Sequence, residues 1–317
     1  MSATGPGRLL TLRRSLPGAV KRWLRQFSAS SRLVRQISPH LPELVCVDVG
    51  ASYYPHARWQ VFLESPLTQW IAVEPNQANL GYIQSWAWPS KVTALTTGLS
   101  QHGGAQTLFV TNVDSGSSLL EPLIPPGMAQ RIRNQAYFFP LRRQPIDTLT
   151  LAQVLAGVAP AAPVFVKLDT QGTELSILAG APELLRNGRI VGVELESTLQ
   201  AQPVMQGAGK FWQACQYLEA AGFELLHIKP IYGPSRFGQA RLRGHSFLNE
   251  CDAVFALRPD VAQSLPVEIR VALIGFYICN AFFEESVSAL DDPPVRAYLK
   301  QRGCDCARLI ETLRSMA

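Results

Sequence analysis

VCVDVG, at residues 45–50, is an apolar and mostly β-branched run that closes on an acid, a valine and a glycine. It reads as a buried parallel strand followed by a tight turn. WIAVEP, at 70–75, repeats the pattern and delivers Glu74 to a strand end. PVFVKLD, at 163–169, does so a third time and delivers Asp169. In open α/β sheets, ligands bind beyond the carboxyl ends of the strands. Acids there can take the two hydroxyls of a ribose, and a glycine lets the backbone approach a ligand closely.

The turn GASYYPHA, at 50–57, carries one glycine and lacks the G-x-G-x-x-G fingerprint. A pyrophosphate needs several free amides at a glycine-rich helix start, so a dinucleotide is disfavoured. S-adenosylmethionine has no phosphate and tolerates the simpler turn.

Strand and helix patterns alternate outward from this centre. ARWQVFLES (57–65) reads as a helix, and NQANLGYIQSWAW (76–88) as a helix ended by Pro89. KVTALTTGLS (91–100) reads as a third strand, and AQTLFVTN (105–112) as a short one. TELSILAGAPELLRNG (173–188) reads as one helix stopped by Gly188, and KFWQACQYLEAAG (210–222) as an amphipathic helix stopped by Gly222. FELLHIKP (223–230) and DAVFALR (252–258) read as antiparallel closing strands, and the last sixty residues as helices. The expected class is α/β: a mostly parallel, doubly wound sheet with an antiparallel closing strand. The expected division is a basic amphipathic arm (1–42), a sheet domain (43–258) and a helical C-terminal extension (259–317).

The composition is that of a soluble protein with a large core: 317 residues, 47% hydrophobic and 17% charged. VALIGFYICNAFF, at 271–283, falls short of the ~18 apolar residues that span a bilayer. The six cysteines are scattered, which fits reduced thiols in a cytoplasmic setting. Cys304 and Cys306 lack the further ligands that zinc needs. Charge is uneven: residues 1–42 hold eight Arg or Lys and no acid, which leaves the remainder at −3 within a whole-chain +5. The acidic remainder disfavours nucleic acid as a partner. The arm interleaves its cations with apolar residues at roughly helical spacing. It is expected either to pack on the domain or to lie on an anionic membrane, peripheral at its inner face.

Five pieces in order carry a resemblance to a known family: VDVGAS (47–52), VEPN (73–76), SGSSLLEP (115–122), IDTL (146–149) and VKLDTQGTELSILAGA (166–181). Together with VGVELE at 191–196, the chain from about 44 to 258 resembles the FkbM family of S-adenosylmethionine-dependent methyltransferases. The resemblance implies a Rossmann-like class I methyltransferase fold and methyl transfer to a hydroxyl of a small-molecule, glycan or lipid-linked acceptor. It implies cofactor contacts from Asp48, Gly50, Ala51, Ser52, Glu74, Pro75, Asn76 and Ser118. Asp169 is expected at the methyl-transfer centre, as base or orienting group. Gly172 and Glu174 belong to the same block, with Glu174 also read as a helix-start acid. Two departures stand out: Ser52-Tyr53-Tyr54 replaces the family's asparagine and second glycine, and Gln171 replaces a glutamate.

His245, in RLRGHSFLNECD (241–252), is a second catalytic candidate, with Tyr232, Arg236 and Arg241 as acceptor-gripping residues. A magnesium-type cation held by Asp169 with Glu194 or Glu196 is considered and not favoured. The competing class is a catalytically inactive scaffold or membrane-associated interaction protein that keeps the fold.

Overall fold

The computed structural model describes residues 29–85, 87–123, 140–201, 203–233 and 247–316. Among these residues ten strands form two sheets. They are β1 (Leu44–Val49), β2 (Thr68–Val73), β3 (Lys91–Leu95), β4 (Gly98–Leu99), β5 (Gly104–Thr111), β6 (Pro140–Leu149), β7 (Val164–Leu168), β8 (Ile190–Thr198), β9 (Phe223–Gly233) and β10 (Phe247–Leu257). The main sheet has the order β3-β2-β1-β7-β8-β10-β9. All its neighbours pair in parallel except β10, which runs antiparallel to both β8 and β9. The antiparallel strand therefore sits one place inside the edge, and β9 closes the sheet. β1 is buried along its whole length, as a central parallel strand covered on both faces should be.

The chain leaves this sheet after β3. KVTALTTGLS is not one strand: it ends as β3 at Leu95 and resumes as β4, which pairs with β6. β5 joins β6 antiparallel, so the strand expected from AQTLFVTN belongs to a separate three-stranded sheet.

Three helix expectations are corrected. ARWQVFLES forms only a 3-10 turn, Gln60–Glu64, in which the consecutive residues Val61, Phe62 and Leu63 are all buried. An α-helix lying on the sheet would bury one stripe and not three neighbours in a row. TELSILAGAPELLRNG splits into Glu174–Ala179 and Pro182–Arg186. Pro182 opens the second piece, where its missing N–H costs nothing, but it could not have continued the first. The helix after β2 spans Gln77–Gln84 and stops short of Pro89.

Residues 29–37 are helical, and Leu33, Val34, Ile37 and Leu41 enter the same hydrophobic core as the strands. Arg35 pairs with Glu64 at 2.6 Å on the surface. The C-terminal helices Val267–Cys279, Phe283–Leu290, Pro293–Gln301 and Cys306–Arg314 cover one side of the sheet. Val267–Cys279 is apolar almost all round because it lies between the sheet and the other helices. It approaches β8 so closely that a Cβ on Gly192 would stand 2.3 Å from the Phe276 ring. Trp59, Phe62, Phe165 and Phe276 meet there edge to face, with centroids 5.0–6.0 Å apart. No helix among the described residues is long and apolar enough to cross a membrane, and all six cysteines are free.

Candidate functional site

Parallel pairing in register aligns the ends of β1, β2 and β7: Asp48 is the last residue but one of β1, and Glu74 and Asp169 directly follow β2 and β7. Asp48, Glu74 and Asp169 all line one cavity of about 650 Å³, within the range of small-molecule sites. The second sheet forms its opposite wall through Leu99, Leu108, Val110, Arg142 and Gln144.

Gly50 turns the chain beneath this cavity with φ +75°, and its N–H bonds to the Val73 carbonyl at 2.9 Å. The neighbouring Asp169 N–H bonds to the Val49 carbonyl at 3.1 Å, which stitches the β1 and β7 ends together. Ser52, Pro75 and Asn76 line the cavity, whereas Ala51 is buried beneath it and is not part of the lining. The Asn79 amide donates to Ser52 Oγ at 2.9 Å. Glu74 Oε1 accepts the Asn76 N–H at 2.8 Å, and Asn76 Oδ1 caps the following helix through Ala78 N–H. Glu74 is thus fixed at the helix start with its carboxylate on the cavity wall.

The Asp169–Glu174 loop is built from its own polar atoms. Glu174 Oε1 accepts from Thr170 N–H at 2.8 Å, Thr170 Oγ1 at 3.0 Å and Gly172 N–H at 3.1 Å. Burial lifts its carboxyl to about 6 even against those bonds. Ser118 also lines the cavity, but its hydroxyl donates to the Gln171 carbonyl at 3.0 Å and so braces the loop. Gln171 adopts φ +58°, a left-handed conformation unusual for a side chain of its size. This points its amide at Asp169 Oδ1 (3.2 Å) and Glu196 Oε2 (3.0 Å).

Charges cross the sheet in a row. Asp48 pairs in register with Lys167, and Lys167 with Glu194, so the three side chains share a face. Lys167 Nζ lies 3.5 Å from Asp48 and 3.3 Å from Asp169. Burial opposes its charge, but Asp169 and Asp48 outweigh this and raise its pKa above the ordinary lysine value. Burial likewise pushes Asp169 up, but Lys167 and hydrogen bonds from Glu196 and Gln171 hold it below the usual range. Its side chain remains 40% exposed. Glu196 is pushed well above the carboxylate range by burial and by the charge on Asp169.

Beyond Lys167, Glu194 is clamped by Arg58 at 2.9 Å and His56 Nε2 at 3.0 Å. Burial raises its pKa, yet His56, Arg58 and Lys167 bring it below the normal value. Both Glu194 oxygens therefore have partners, Oε1 in the Arg58 ion pair and Oε2 in the His56 hydrogen bond, and Glu196 meets Gln171 instead. Among the described residues no group of three or more His, Cys, Asp or Glu could hold a metal ion.

The expected residues Asp48, Gly50, Ser52, Glu74, Pro75, Asn76, Ser118 and Asp169 thus meet at one cavity. His245, Arg236 and Arg241 lie outside the described residues. Tyr232 is 60% exposed at the end of β9 and does not line the cavity. The sequence reading missed Lys167 and His56, both of which do. A lysine inside an apolar strand, two residues before an acid, was a usable signal for Lys167. His56 had none, because its partner lies 138 residues away.

The sequence model of the family described as "Methyltransferase FkbM domain" matches residues 48–225. No curated protein sequence matches the chain. Solved structures similar to it include a precorrin-6y C5,15-methyltransferase from Geobacter metallireducens, at 15% identity, covering 73% of this chain and 86% of that one with a TM-score of 0.31. A magnesium protoporphyrin IX methyltransferase from Synechocystis with bound SAH matches at 10% identity, 78% and 99% coverage and a TM-score of 0.32. A TehB-like SAM-dependent methyltransferase from Corynebacterium glutamicum matches at 9% identity, 76% and 96% coverage and a TM-score of 0.30.

Proposed function

The chain belongs to the methyltransferase FkbM domain family, and on that premise we propose that it transfers a methyl group from S-adenosylmethionine to a hydroxyl of a small-molecule, glycan or lipid-linked acceptor. The observation that carries this reading is the convergence of Asp48, Glu74 and Asp169 on one cavity beside the glycine turn at Gly50.

The residues present suit the cofactor. An acid ends β2 where a ribose diol would need an acceptor, and no phosphate cradle is required. Asp48, Glu74 and Asp169 outnumber Lys167 and Arg142 in the cavity lining, which complements a ligand carrying a sulfonium and an amino group. When bound, S-adenosylmethionine supplies a methyl group made electrophilic by the sulfonium.

The chain supplies the rest. Glu74 would accept hydrogen bonds from the ribose hydroxyls. Gly50 gives the backbone its close approach. Asp169, kept ionised by Lys167 and partly open to the cavity, is a weak base but a good acceptor of the substrate hydroxyl's hydrogen bond. It would orient the attacking oxygen, and orientation alone carries much of the catalysis of a displacement. Leu99, Leu108 and Val110 would keep water from the reacting atoms. We place the protein in the cytoplasm, with its basic N-terminal arm at the inner face of the membrane.

Isothermal titration of the full chain with S-adenosylhomocysteine tests the reading. One-to-one binding is expected. Neither heat nor thermal stabilisation at millimolar ligand would end it. The acceptor class is tested by metabolite profiling of a deletion strain, which should accumulate a species one methylene lighter than its wild-type counterpart.

A further inference from the structure

We propose that His56 is the base that takes the acceptor's proton, with Glu194 as the positioning residue that aims it. The proposal rests on the methyltransferase reading above and adds a proton acceptor that Asp169, held as a weak base, does not supply.

The geometry is that of a carboxylate–histidine pair opening on a cavity. Glu194 lies on β8 and is 4% exposed. Its Oε1 meets Arg58 at 2.9 Å and its Oε2 meets His56 Nε2 at 3.0 Å. An ionised carboxylate only accepts hydrogen bonds, so Nε2 must carry the hydrogen. That leaves the lone pair on Nδ1. This nitrogen has no hydrogen-bond partner among the described residues and is not one of their buried unpaired atoms, and His56 lines the cavity. The lone pair is therefore unengaged on a residue that lines the cavity in which the acceptor would sit.

Two contacts hold the ring and a third holds its backbone. Glu194 fixes one edge of the ring, Trp59 packs edge-on with centroids 5.4 Å apart, and the main-chain N–H of His56 donates to Asp48 Oδ2 at 3.0 Å. The last contact ties the base to the strand end that bears the proposed cofactor turn. Other charged or titratable groups around the pair are Arg58 from the same loop, Asp48 on β1, Lys167 on β7, His227 on β9 and Cys279 on the helix Val267–Cys279.

The step balances. The acceptor oxygen's electron pair forms the new bond to the methyl carbon as the carbon–sulfur bond breaks and its pair returns to sulfur. The hydroxyl proton moves to Nδ1, and the resulting imidazolium faces the Glu194 carboxylate, which stabilises it. Proton transfer to solvent restores the base.

The test begins without turnover. Full-length protein labelled with ¹⁵N-histidine is observed by long-range ¹H–¹⁵N correlation, and His56→Gln identifies the signals. The expected result is a single Nε2-protonated tautomer for neutral His56, lost to a mixture in Glu194→Gln. Methyl transfer from radiolabelled S-adenosylmethionine into extract of the deletion strain should fall by about 10²–10⁴-fold in His56→Gln. The acidic limb of the pH–rate profile should vanish with it. Partial rescue of His56→Gly by added imidazole is expected, which a merely structural role would not give. An Nδ1-protonated tautomer, or a His56→Gln protein with wild-type rate and profile, overturns the proposal. If S-adenosylhomocysteine binds and the tautomer is wrong, only this inference falls; if it does not bind, the methyltransferase reading falls too.

Discussion

A Cβ placed on Gly50 would stand 1.9 Å from the backbone carbonyl oxygen of Asp169. The turn after β1 and the loop after β7 are thus in backbone contact, so the two acid-bearing motifs form one rigid piece. Gly50→Ala meets that carbonyl, and it also forces a side chain into φ +75°. The combined penalty is roughly 2–5 kcal/mol. Urea unfolding monitored by tryptophan fluorescence should show a lower midpoint. A midpoint equal to wild type would mean that the contact relaxes freely.

Glu74 is fixed by the Asn76 N–H at 2.8 Å, so its carboxylate is ordered before any ligand arrives. Removing it in Glu74→Ala should weaken S-adenosylhomocysteine binding by about 1.5–3 kcal/mol, the scale of hydrogen bonds to a charged group. Calorimetry on a variant shown to be folded reads this directly. Unchanged affinity would remove Glu74 from the cofactor site.

Asp169→Asn keeps the shape of the side chain and removes its charge. If Asp169 orients the acceptor oxygen, turnover should fall by about 10²-fold through lost alignment. Cofactor affinity should change little. The comparison is single-turnover methyl transfer against titrated affinity, and near-normal turnover would reduce Asp169 to a structural partner of Lys167.

The acid ends of β1, β2 and β7 were legible in the sequence because each is a local pattern: an apolar run, then a carboxylate. The ligand edge of the sheet followed from these alone. The row Asp48–Lys167–Glu194 was not legible, since it exists only through the register of three strands far apart in sequence. The second sheet was hidden for a similar reason: only Thr96 and Thr97 separate β4 from β3, and only its partner β6 shows that it has left the main sheet. Residues 173–188 kept a helical period across Pro182, so periodicity outvoted the one residue that breaks the helix.

Glu174 gives the structure a pH signature. Burial raises its carboxyl from 4.5 to about 6, so folding favours the protonated form. That contribution is complete below the unfolded value and is lost as pH rises through about 6. The shift corresponds to about 2 kcal/mol. Glu174→Gln keeps an acceptor oxygen for Thr170 and Gly172 but cannot titrate. Between pH 4 and 7, wild-type stability should therefore fall by about 2 kcal/mol relative to Glu174→Gln in chemical unfolding. A difference that stays flat across this window would contradict the buried carboxyl's assigned shift.

The N-terminal arm divides at about residue 28. Leu33, Val34 and Ile37 belong to the core, and Arg35 is engaged with Glu64. Arg8, Arg13, Arg14, Lys21, Arg22 and Arg25 lie outside the described residues, with no acid among residues 1–28. This segment is our proposed anchor. Each cation near an anionic bilayer adds about 1 kcal/mol, so half of the six engaged would give about 3 kcal/mol. Such attraction is screened by salt. Flotation with phosphatidylserine-containing liposomes should carry the full chain upward at low ionic strength and release it at about 0.5 M salt, where the Debye length falls to a few ångströms. A chain starting at residue 29 keeps its core contacts and should stay at the bottom of the gradient. A truncation at residue 38 would confuse the result, because it also removes the buried Leu33, Val34 and Ile37. If the full chain and the chain starting at residue 29 behave alike, the basic segment has no part in membrane contact.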